Sequence, residues 1–145
     1  MVDIHIRDAV KQDAAEVVRL VRVLADDDDE TSEVSEEFVH GYLACPGCGI
    51  LLAQESKDVL GLLSYSMRPN LYHAGNCCLI EELVVDAAAR SCGIGGMLVS
   101  AIMEKAEAAG CAEISVSTMP DNGGAIRFYR EHGFGDEAVY LGRHF

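Results

Sequence analysis

Three glycines within four residues separate two strongly patterned stretches of this 145-residue chain, in the segment RSCGIGG (Arg90–Gly96). The preceding CLIEELVVD is apolar enough for a central strand, and the following MLVSAIMEKAEAA is typical of a helix. Glycine inside a helix or strand costs backbone entropy and offers no side chain to pack. The pattern therefore predicts a strand and a helix joined by a glycine loop.

A helix that begins after such a loop presents unpaired N–H groups and a partial positive charge, which suit a phosphate or pyrophosphate. Two common nucleotide motifs do not fit. The P-loop needs a lysine that this segment lacks, and the dinucleotide fingerprint needs a glycine where Leu98 stands. The loop therefore predicts an anion site, but neither a kinase nor a nicotinamide-dependent dehydrogenase.

The periodicity of the chain predicts one α/β domain over residues 1–145, in the order β-α-α-β-β-β-α-β-α-β. The length suits a single domain with a sizeable core. Ser32 or Ser35 is the candidate cap of the second helix, and Gly110 ends the third. The predicted segments are a strand at about 3–9, helices in KQDAAEVVRLVRVLAD and SEVSEEFVHGYLA, strands in GILLAQES, DVLGLLSYSM and CLIEELVVD, a helix at about 94–109, a strand in CAEISVSTM, a helix in DNGGAIRFYREHGF and a last strand in AVYLGRHF.

The glycine segment also fits the pattern Arg/Gln-x-x-Gly-x-Gly/Ala, through Arg90, Gly93 and Gly95. Together with IEELVVD before it and NGGAIRFYREHGF after it, the chain resembles the GCN5-related N-acetyltransferase (GNAT) superfamily over nearly its whole length. The resemblance implies a mixed sheet flanked by helices. It also implies an enzyme that moves an acetyl group from acetyl-coenzyme A to an amine, directly in a ternary complex.

By this resemblance the coenzyme is held by three parts of the chain. Main-chain groups of the strand before the loop would bind the pantetheine arm, and the loop amides would bind the pyrophosphate. Cys92 stands where relatives have a basic residue, so Arg90 is the loop's one cation. The implied coenzyme-binding residues are Leu83, Val84, Val85, Arg90, Ser91, Cys92, Gly93, Ile94, Gly95, Gly96, Asn122, Ala125 and Tyr129.

Glu81 and Glu82 are candidates for handling the amine. An alkyl ammonium with a pKa of ~10.4 must lose a proton before it can attack, and a buried carboxylate beside a second one can have its pKa raised toward neutrality. The pair resembles the acidic pair of diamine acetyltransferases, which implies Glu81 as the base and Glu82 as the ammonium anchor. Neighbouring strand residues face opposite sides unless a bulge intervenes. The alternative is a pair of ordinary strand carboxylates.

Tyr129, in FYREHGF, occupies the segment that supplies a general acid in many relatives. A phenol with a pKa of ~10 can donate a proton to a thiolate leaving group. The alternative is an aromatic side chain packed on the sheet. Asn122, which opens the same segment, is expected to cap the helix as well as contact the coenzyme.

The net charge of −13 disfavours a nucleic acid partner, since phosphate binding needs a basic surface. The run DDDDE (Asp26–Glu30) is either a solvated helix end or an electrostatic attraction for a cationic substrate. We therefore expect a small amine acceptor that could be cationic. The alternatives are a protein or peptide N-acetyltransferase and a non-catalytic acyl-coenzyme A sensor.

The six cysteines bear on metals and compartment. CPGC (Cys45–Cys48) has the spacing of a zinc half-site that His73 and Cys77 could complete, but Pro-Gly also indicates a plain turn and no second CxxC exists. We expect no metal, and small buried thiols in a reducing compartment. The first residues lack a signal-peptide pattern and no membrane span is evident, which predicts a cytoplasmic protein. The edge of the last strand suggests a homodimer.

Overall fold

The computed structural model describes residues 3–145, which form one mixed five-stranded sheet and four α-helices. The elements are β1 (Ile4–Asp8), α1 (Ala14–Asp27), α2 (Glu36–Ala44), β2 (Cys48–Glu55), β3 (Asp58–Asn70), β4 (Gly75–Val85), α3 (Ile94–Ala108), β5 (Glu113–Val116) and α4 (Gly123–Glu131). The strands follow chain order across the sheet. β1 to β4 are antiparallel, and β5 is parallel to β4. The predicted α/β class is confirmed.

The sheet has an apolar core on each face. On one face, α1 and α2 cover Leu52, Leu62 and Val84, and on the other, α3 and α4 cover Leu63 and Ile80. Alternate residues of each strand supply the two cores, as the pleat requires. This explains why the central strands are nearly continuous apolar runs rather than alternating ones.

Local signals in the sequence predict several element ends correctly. Ser35, rather than Ser32, caps α2, since its Oγ accepts the Phe38 N–H at 3.1 Å. Gly110 follows α3 with φ +73°, a left-handed conformation that glycine adopts without strain. The segment RPNLYHAGN lies between two of the predicted strands and its composition predicts a loop. Most of it is strand, because β3 and β4 pair as far as Asn70 and Gly75 and leave a four-residue turn.

The predicted last strand, AVYLGRHF, is wrong, because residues 134–145 form no helix or strand. Val139 and Leu141 are more than four-fifths exposed, so their apolar side chains do not pack on the sheet. A strand needs a partner edge. β5, the outermost strand on this side, has only four residues, against the nine predicted from Cys111 to Met119.

Among residues 3–145, no helix is long and apolar enough to cross a membrane.

Candidate active site

β4 loses its neighbour halfway along its length. It pairs with β3 as far as Val85, opposite Gly61, but with β5 only from Cys77 to Ile80. The edge of β4 from Glu81 to Val85 that faces away from β3 therefore has no strand partner within residues 3–145. Unpaired backbone groups seek hydrogen bonds. This edge can bind an extended ligand through main-chain groups of Leu83, Val84 and Val85.

The glycine loop leads from this edge into α3. Gly93 is the N-cap with φ +79°, and no side chain caps the helix. The first helical hydrogen bond runs from the Met97 N–H to the Gly93 carbonyl at 3.1 Å. The N–H groups of Ile94, Gly95 and Gly96 therefore lack helical partners and are donors for an anion. No atom lies within 4 Å of where a Gly93 Cβ would stand, so the approach to these donors is open.

Arg90 is engaged within the chain. Its Nη2 lies 2.5 Å from a carboxylate oxygen of Asp27 at the end of α1, and its Nε donates to the Val85 carbonyl at 3.2 Å. Ser91 has φ +66°, and the Cys92 side chain is exposed. The acidic run thus begins beside the glycine loop, where Asp27 neutralises the loop's cation. An anion here would depend chiefly on backbone N–H groups.

A second ion pair anchors the segment before the loop to α1. Arg19 Nη1 lies 2.7 Å from Asp86, and its Nη2 donates to the Val59 carbonyl at 2.9 Å. Asp86 also accepts the Ala88 N–H at 3.2 Å, which caps the short 3-10 turn at 87–89. The hydrogen bond that the Arg19 guanidinium donates to Asp86 lowers the pKa of this carboxyl group. No local pattern in the sequence predicts this ion pair, because Arg19 and Asp86 lie 67 residues apart.

Glu81 and Glu82 both lie on the face of the sheet that α1 and α2 cover. Ser64 is opposite Glu82 and Tyr65 is opposite Ile80, so Glu81 is the extra residue of a β-bulge. Ser64 Oγ donates to Glu82 Oε1 at 2.5 Å, and Ser66 Oγ donates to Glu81 Oε2 at 3.2 Å. Since Ser64 and Ser66 share a face, the bulge brings both carboxylates to it.

The two carboxylates differ in environment. Glu81 is exposed, whereas Glu82 is half-buried. Burial raises the pKa of Glu82, the hydrogen bond from Ser64 partly offsets that rise, and the negative charge of Glu81 adds to it. Tyr42 of α2 lies near both carboxylates. Burial raises the pKa of Tyr42, and the charges of Cys48, Glu82 and Glu81 add to that rise. Glu82 is therefore the carboxylate better suited to accept a proton from the acceptor.

Tyr129 lies on the opposite face, against the core of α3. It is 8% exposed and packs edge-on against Phe128 and Phe134, with ring centroids 5.1 and 5.5 Å away. Burial raises its pKa to about 12. Its hydroxyl makes no hydrogen bond within residues 3–145, yet no fully buried side-chain oxygen there lacks a partner. The hydroxyl must therefore reach solvent, and it is free to donate.

Asn122 caps α4, since its Oδ1 accepts the Ala125 N–H at 3.1 Å. The cap engages the side-chain oxygen and leaves the amide N–H groups available to a ligand. It also fixes the first turn of α4, the helix on which Tyr129 lies. The predicted residues thus divide between the two faces of the sheet, with the unpaired edge of β4 between them.

Three polar side chains beside the carboxylates are absent from the sequence prediction: Tyr42, Ser64 and Ser66. Tyr42 donates to the Tyr65 carbonyl at 2.9 Å. The two serines stand two residues apart in the otherwise apolar LGLLSYSM, a spacing that places both on one face and could have revealed them. Tyr42 gives no comparable signal, because its helix is distant in sequence.

Two open surface grooves lie elsewhere. One, of about 660 Å³, lies between β1 and α3 and is lined by Ile6, Met97 and Lys105 among others. The other, of about 420 Å³, is lined by α1 and Glu36. Neither groove includes the glycine loop, the two carboxylates or Tyr129. The candidate site is therefore defined by the unpaired edge of β4 and the glycine loop rather than by either groove.

The sequence is similar to several known proteins. It is 30% identical over 130 residues to the aminoalkylphosphonate N-acetyltransferase of Salmonella typhimurium, covering 90% of this chain and 84% of that protein. It is 29% identical over 112 residues to the aminoglycoside N(6')-acetyltransferase type 1 of Klebsiella aerogenes, covering 76% and 73%. An alignment with protein YdhI of Bacillus subtilis, at 32% over 92 residues, covers 63% of this chain and about half (52%) of that relative.

The fold matches that of a solved aminoglycoside acetyltransferase, meta-AAC0020, from an uncultured soil metagenomic sample. The two superpose with a TM-score of 0.85 over 98% of this chain and 95% of that one, at 19% identity, which shows a shared fold. The family model described as "Acetyltransferase (GNAT) family" matches residues 17–134, a range that includes the glycine loop, both carboxylates and Tyr129. The chain belongs to the GNAT acetyltransferase family and is an acetyl-coenzyme A-dependent N-acetyltransferase.

Proposed function

We propose that this enzyme transfers the acetyl group of acetyl-coenzyme A to the primary amine of a small acceptor, cationic in its resting state, by direct transfer in a ternary complex. The observation that carries the proposal is the bulge in β4. It places Glu81 and Glu82 on one face of the sheet, beside an unpaired strand edge that begins at the same residues.

The coenzyme supplies the thioester, and the chain's own groups hold it. The N–H groups of Ile94, Gly95 and Gly96 would bind the pyrophosphate, with Ser91 and Cys92 flanking them. Main-chain groups of Leu83–Val85 would bind the pantetheine arm along the edge that β5 leaves unpaired. Asn122 and Ala125 would border the arm from the first turn of α4.

The proposed proton transfers follow the burial of each group. Glu82, held by Ser64, accepts a proton from the acceptor ammonium, so that the amine nitrogen can form its bond to the acetyl carbon. Glu81, exposed at the mouth of the site, pairs with the ammonium before transfer. The resemblance to diamine acetyltransferases implies the reverse assignment, and the greater burial of Glu82 favours the one proposed here.

Tyr129 completes the reaction in this proposal. As the carbon–sulfur bond breaks, its phenolic O–H donates a proton to the departing sulfur, and the resulting phenolate takes up the proton that the nitrogen loses as the amide forms. With a pKa of about 12 the phenol is protonated at neutral pH and therefore carries the proton that this step requires. Arg90, paired with Asp27, would position the loop rather than carry charge to the reaction.

The acceptor class is supported by similarity and by charge. Two of the relatives are N-acetyltransferases, and their names give an aminoalkylphosphonate and an aminoglycoside as the acceptors. Both acceptors are small amines. The net charge of −13 and the exposed Glu81 favour a positively charged amine over an anionic one.

The test offers acetyl-coenzyme A with an isotope-labelled acetyl group to separate pools of small polyamines and amino sugars, free amino acids, and peptides. We expect label in the small-amine pool, with little in the others, and a much slower reaction with Tyr129→Phe. Label only in peptides would replace the proposal with protein acetylation. No label in any pool, with coenzyme binding retained, would indicate an acyl-coenzyme A sensor instead.

Three further expectations stand as proposals. Residues 1–145 would act as one N-acetyltransferase domain in the cytoplasm, without nucleic acid or membrane partners. A homodimer can no longer be argued from the last strand, which is not formed. The exposed apolar side chains of the C-terminal segment still favour self-association, and light scattering at working concentration would test this.

A further inference from the structure

We propose that His73, Cys77 and Glu113 form a binding site for a zinc-like divalent metal ion, at the end of the sheet away from the acetyl-transfer site. One ligand atom from each residue lies within 4.8 Å of the other two, and His73 Nε2 is 3.5 Å from Glu113 Oε2. This is close to the spacing that ligands take around one tetrahedral ion. The side chain of Cys77 is buried, whereas the other two are accessible to solvent.

The backbone already holds the three residues in place. Cys77 and Glu113 are directly opposite each other in the parallel ladder of β4 and β5, so their side chains share a face. Beside them, the Ala112 N–H donates to the Asn76 carbonyl at 2.8 Å and continues the pairing. Two ligands therefore lie on paired strands, which keeps their separation nearly fixed.

His73 lies on the four-residue turn between β3 and β4, and that turn is closed by its own hydrogen bonds. The Asn70 side-chain oxygen accepts the His73 N–H at 3.0 Å, and the Ala74 N–H donates to the Leu71 carbonyl at 3.2 Å. The turn thus holds the imidazole over the start of β5 before any metal arrives. A site held in this way loses little conformational entropy on binding.

The donor set indicates which metal fits. A thiolate, an imidazole and a carboxylate are ligands of Zn²⁺, whereas Mg²⁺ and Ca²⁺ prefer oxygen alone. Three protein ligands leave a fourth position for water. A thiolate ligand binds the metal without its proton, and metal binding would replace the direct contact between His73 and Glu113.

The position indicates a structural role. Cys77 and Glu82 are five residues apart along β4, about 17 Å at the rise of an extended strand. A metal here would tie the β3–β4 turn to β5, the shortest strand of the sheet, without reaching the carboxylates. CPGC is not part of the site: among residues 3–145, the group of metal-binding side chains that includes Cys77 contains neither Cys45 nor Cys48.

The test is titration of the purified, reduced, chelator-free protein with Co²⁺, which reports thiolate coordination by a ligand-to-metal charge-transfer band in the near ultraviolet. We expect a band that saturates at one Co²⁺ per chain and is displaced by Zn²⁺. His73→Asn and Glu113→Gln, both on accessible positions, should weaken Co²⁺ binding by about tenfold or more. Cys77→Ala should abolish the band.

Cys45→Ser is the matched control, since it removes an exposed thiol of CPGC and should leave the titration unchanged. Zn²⁺ should also raise the unfolding temperature of the wild type but not that of His73→Asn, while the rate of acetyl transfer stays the same with and without chelator. No band in the wild type, or a band that survives Cys77→Ala or disappears in Cys45→Ser, would overturn the proposal.

Discussion

Glu81 and Glu82 are neighbours in sequence, on the same face of the sheet, and yet differ in environment. The bulge turns both toward α2, where Glu81 is exposed and Glu82 is half-buried, and burial raises the pKa of Glu82. Ser64 Oγ donates to the Glu82 carboxylate and accepts its N–H at 3.0 Å, so the side chain and backbone of Glu82 are held by one hydroxyl. Ser64 therefore orients Glu82 and partly offsets the rise in its pKa, which is caused chiefly by burial.

Glu82→Gln should lower turnover by about 100-fold, because the amide cannot accept the ammonium proton. In the wild type, turnover should fall as the pH drops through the raised pKa of Glu82. This fall is the acid limb of the pH profile, and Glu82→Gln should lose it. Glu81→Gln is the matched control and should raise KM for the amine while keeping the limb. If Glu81→Gln alone removes the limb, the two roles are reversed.

Glu82→Gln should also change the pH dependence of stability. Because the folded-state pKa lies above the ordinary value of 4.5, the folded protein binds this proton more tightly than the unfolded chain. The free energy of unfolding should therefore fall as the pH rises from that value through the raised pKa. Urea denaturation at acidic and neutral pH should show a smaller fall in the variant, and an unchanged fall would contradict the burial argument.

Tyr129→Phe should lower turnover by about 100-fold and leave the dissociation constant of acetyl-coenzyme A nearly unchanged. The ring still packs against Phe128 and Phe134, so only the hydroxyl is lost. Single-turnover kinetics and a binding titration would separate the two effects. Tyr140→Phe, on the exposed C-terminal segment, is the control. Unchanged turnover in Tyr129→Phe would leave the phenol a packing residue.

At the scale of elements, the start of α3 depends on a left-handed residue that has room around it. Gly93 and Gly110 flank the same helix, with φ +79° and +73°, and a Cβ at either would meet no atom within 4 Å. Both glycines therefore require the left-handed backbone conformation, but only Gly93 lies in the loop that would bind the coenzyme. This makes them a matched pair for separating backbone strain from ligand binding.

Gly93→Ala and Gly110→Ala should each destabilise the protein by about 1–2 kcal/mol, the cost of a Cβ in the left-handed region. Only Gly93→Ala should weaken acetyl-coenzyme A binding, because it alone alters the loop that presents the free N–H groups. Chemical denaturation and calorimetric titration of both variants would measure this. Equal losses of coenzyme affinity would assign the effect to general destabilisation.

Some helices and strands of this fold can be predicted from the sequence, and others cannot. Gly110 and Ser35 mark helix ends through local chemistry, so those ends follow from the sequence. The bulge at Glu81 depends on the register between β3 and β4, which no local pattern specifies. The sequence alone therefore does not decide whether Glu81 and Glu82 lie on the same face of the sheet. The apolar alternation of AVYLGRHF favours a strand, but whether one forms depends on a free edge elsewhere in the fold.

At the scale of the whole molecule, the sheet divides the site. The carboxylates lie on the face of α1 and α2, Tyr129 lies on the face of α3 and α4, and the unpaired edge of β4 runs between them. A thioester bound along this edge could meet an amine from one face and a proton donor from the other. The order of the first nine helices and strands along the chain and the glycine loop were predictable from the sequence, whereas this division required the structure.

Thermal unfolding with and without acetyl-coenzyme A tests this account most directly, with NAD and ATP as controls. A ligand at 100 times its dissociation constant adds ~2.7 kcal/mol, which should raise the unfolding temperature by roughly 5–10 °C in a chain of this size. We predict this shift with acetyl-coenzyme A, no comparable shift with NAD or ATP, and a smaller one in Gly93→Ala at the same ligand concentration. No shift at saturating acetyl-coenzyme A would contradict the assignment of the glycine loop and the β4 edge as its binding site.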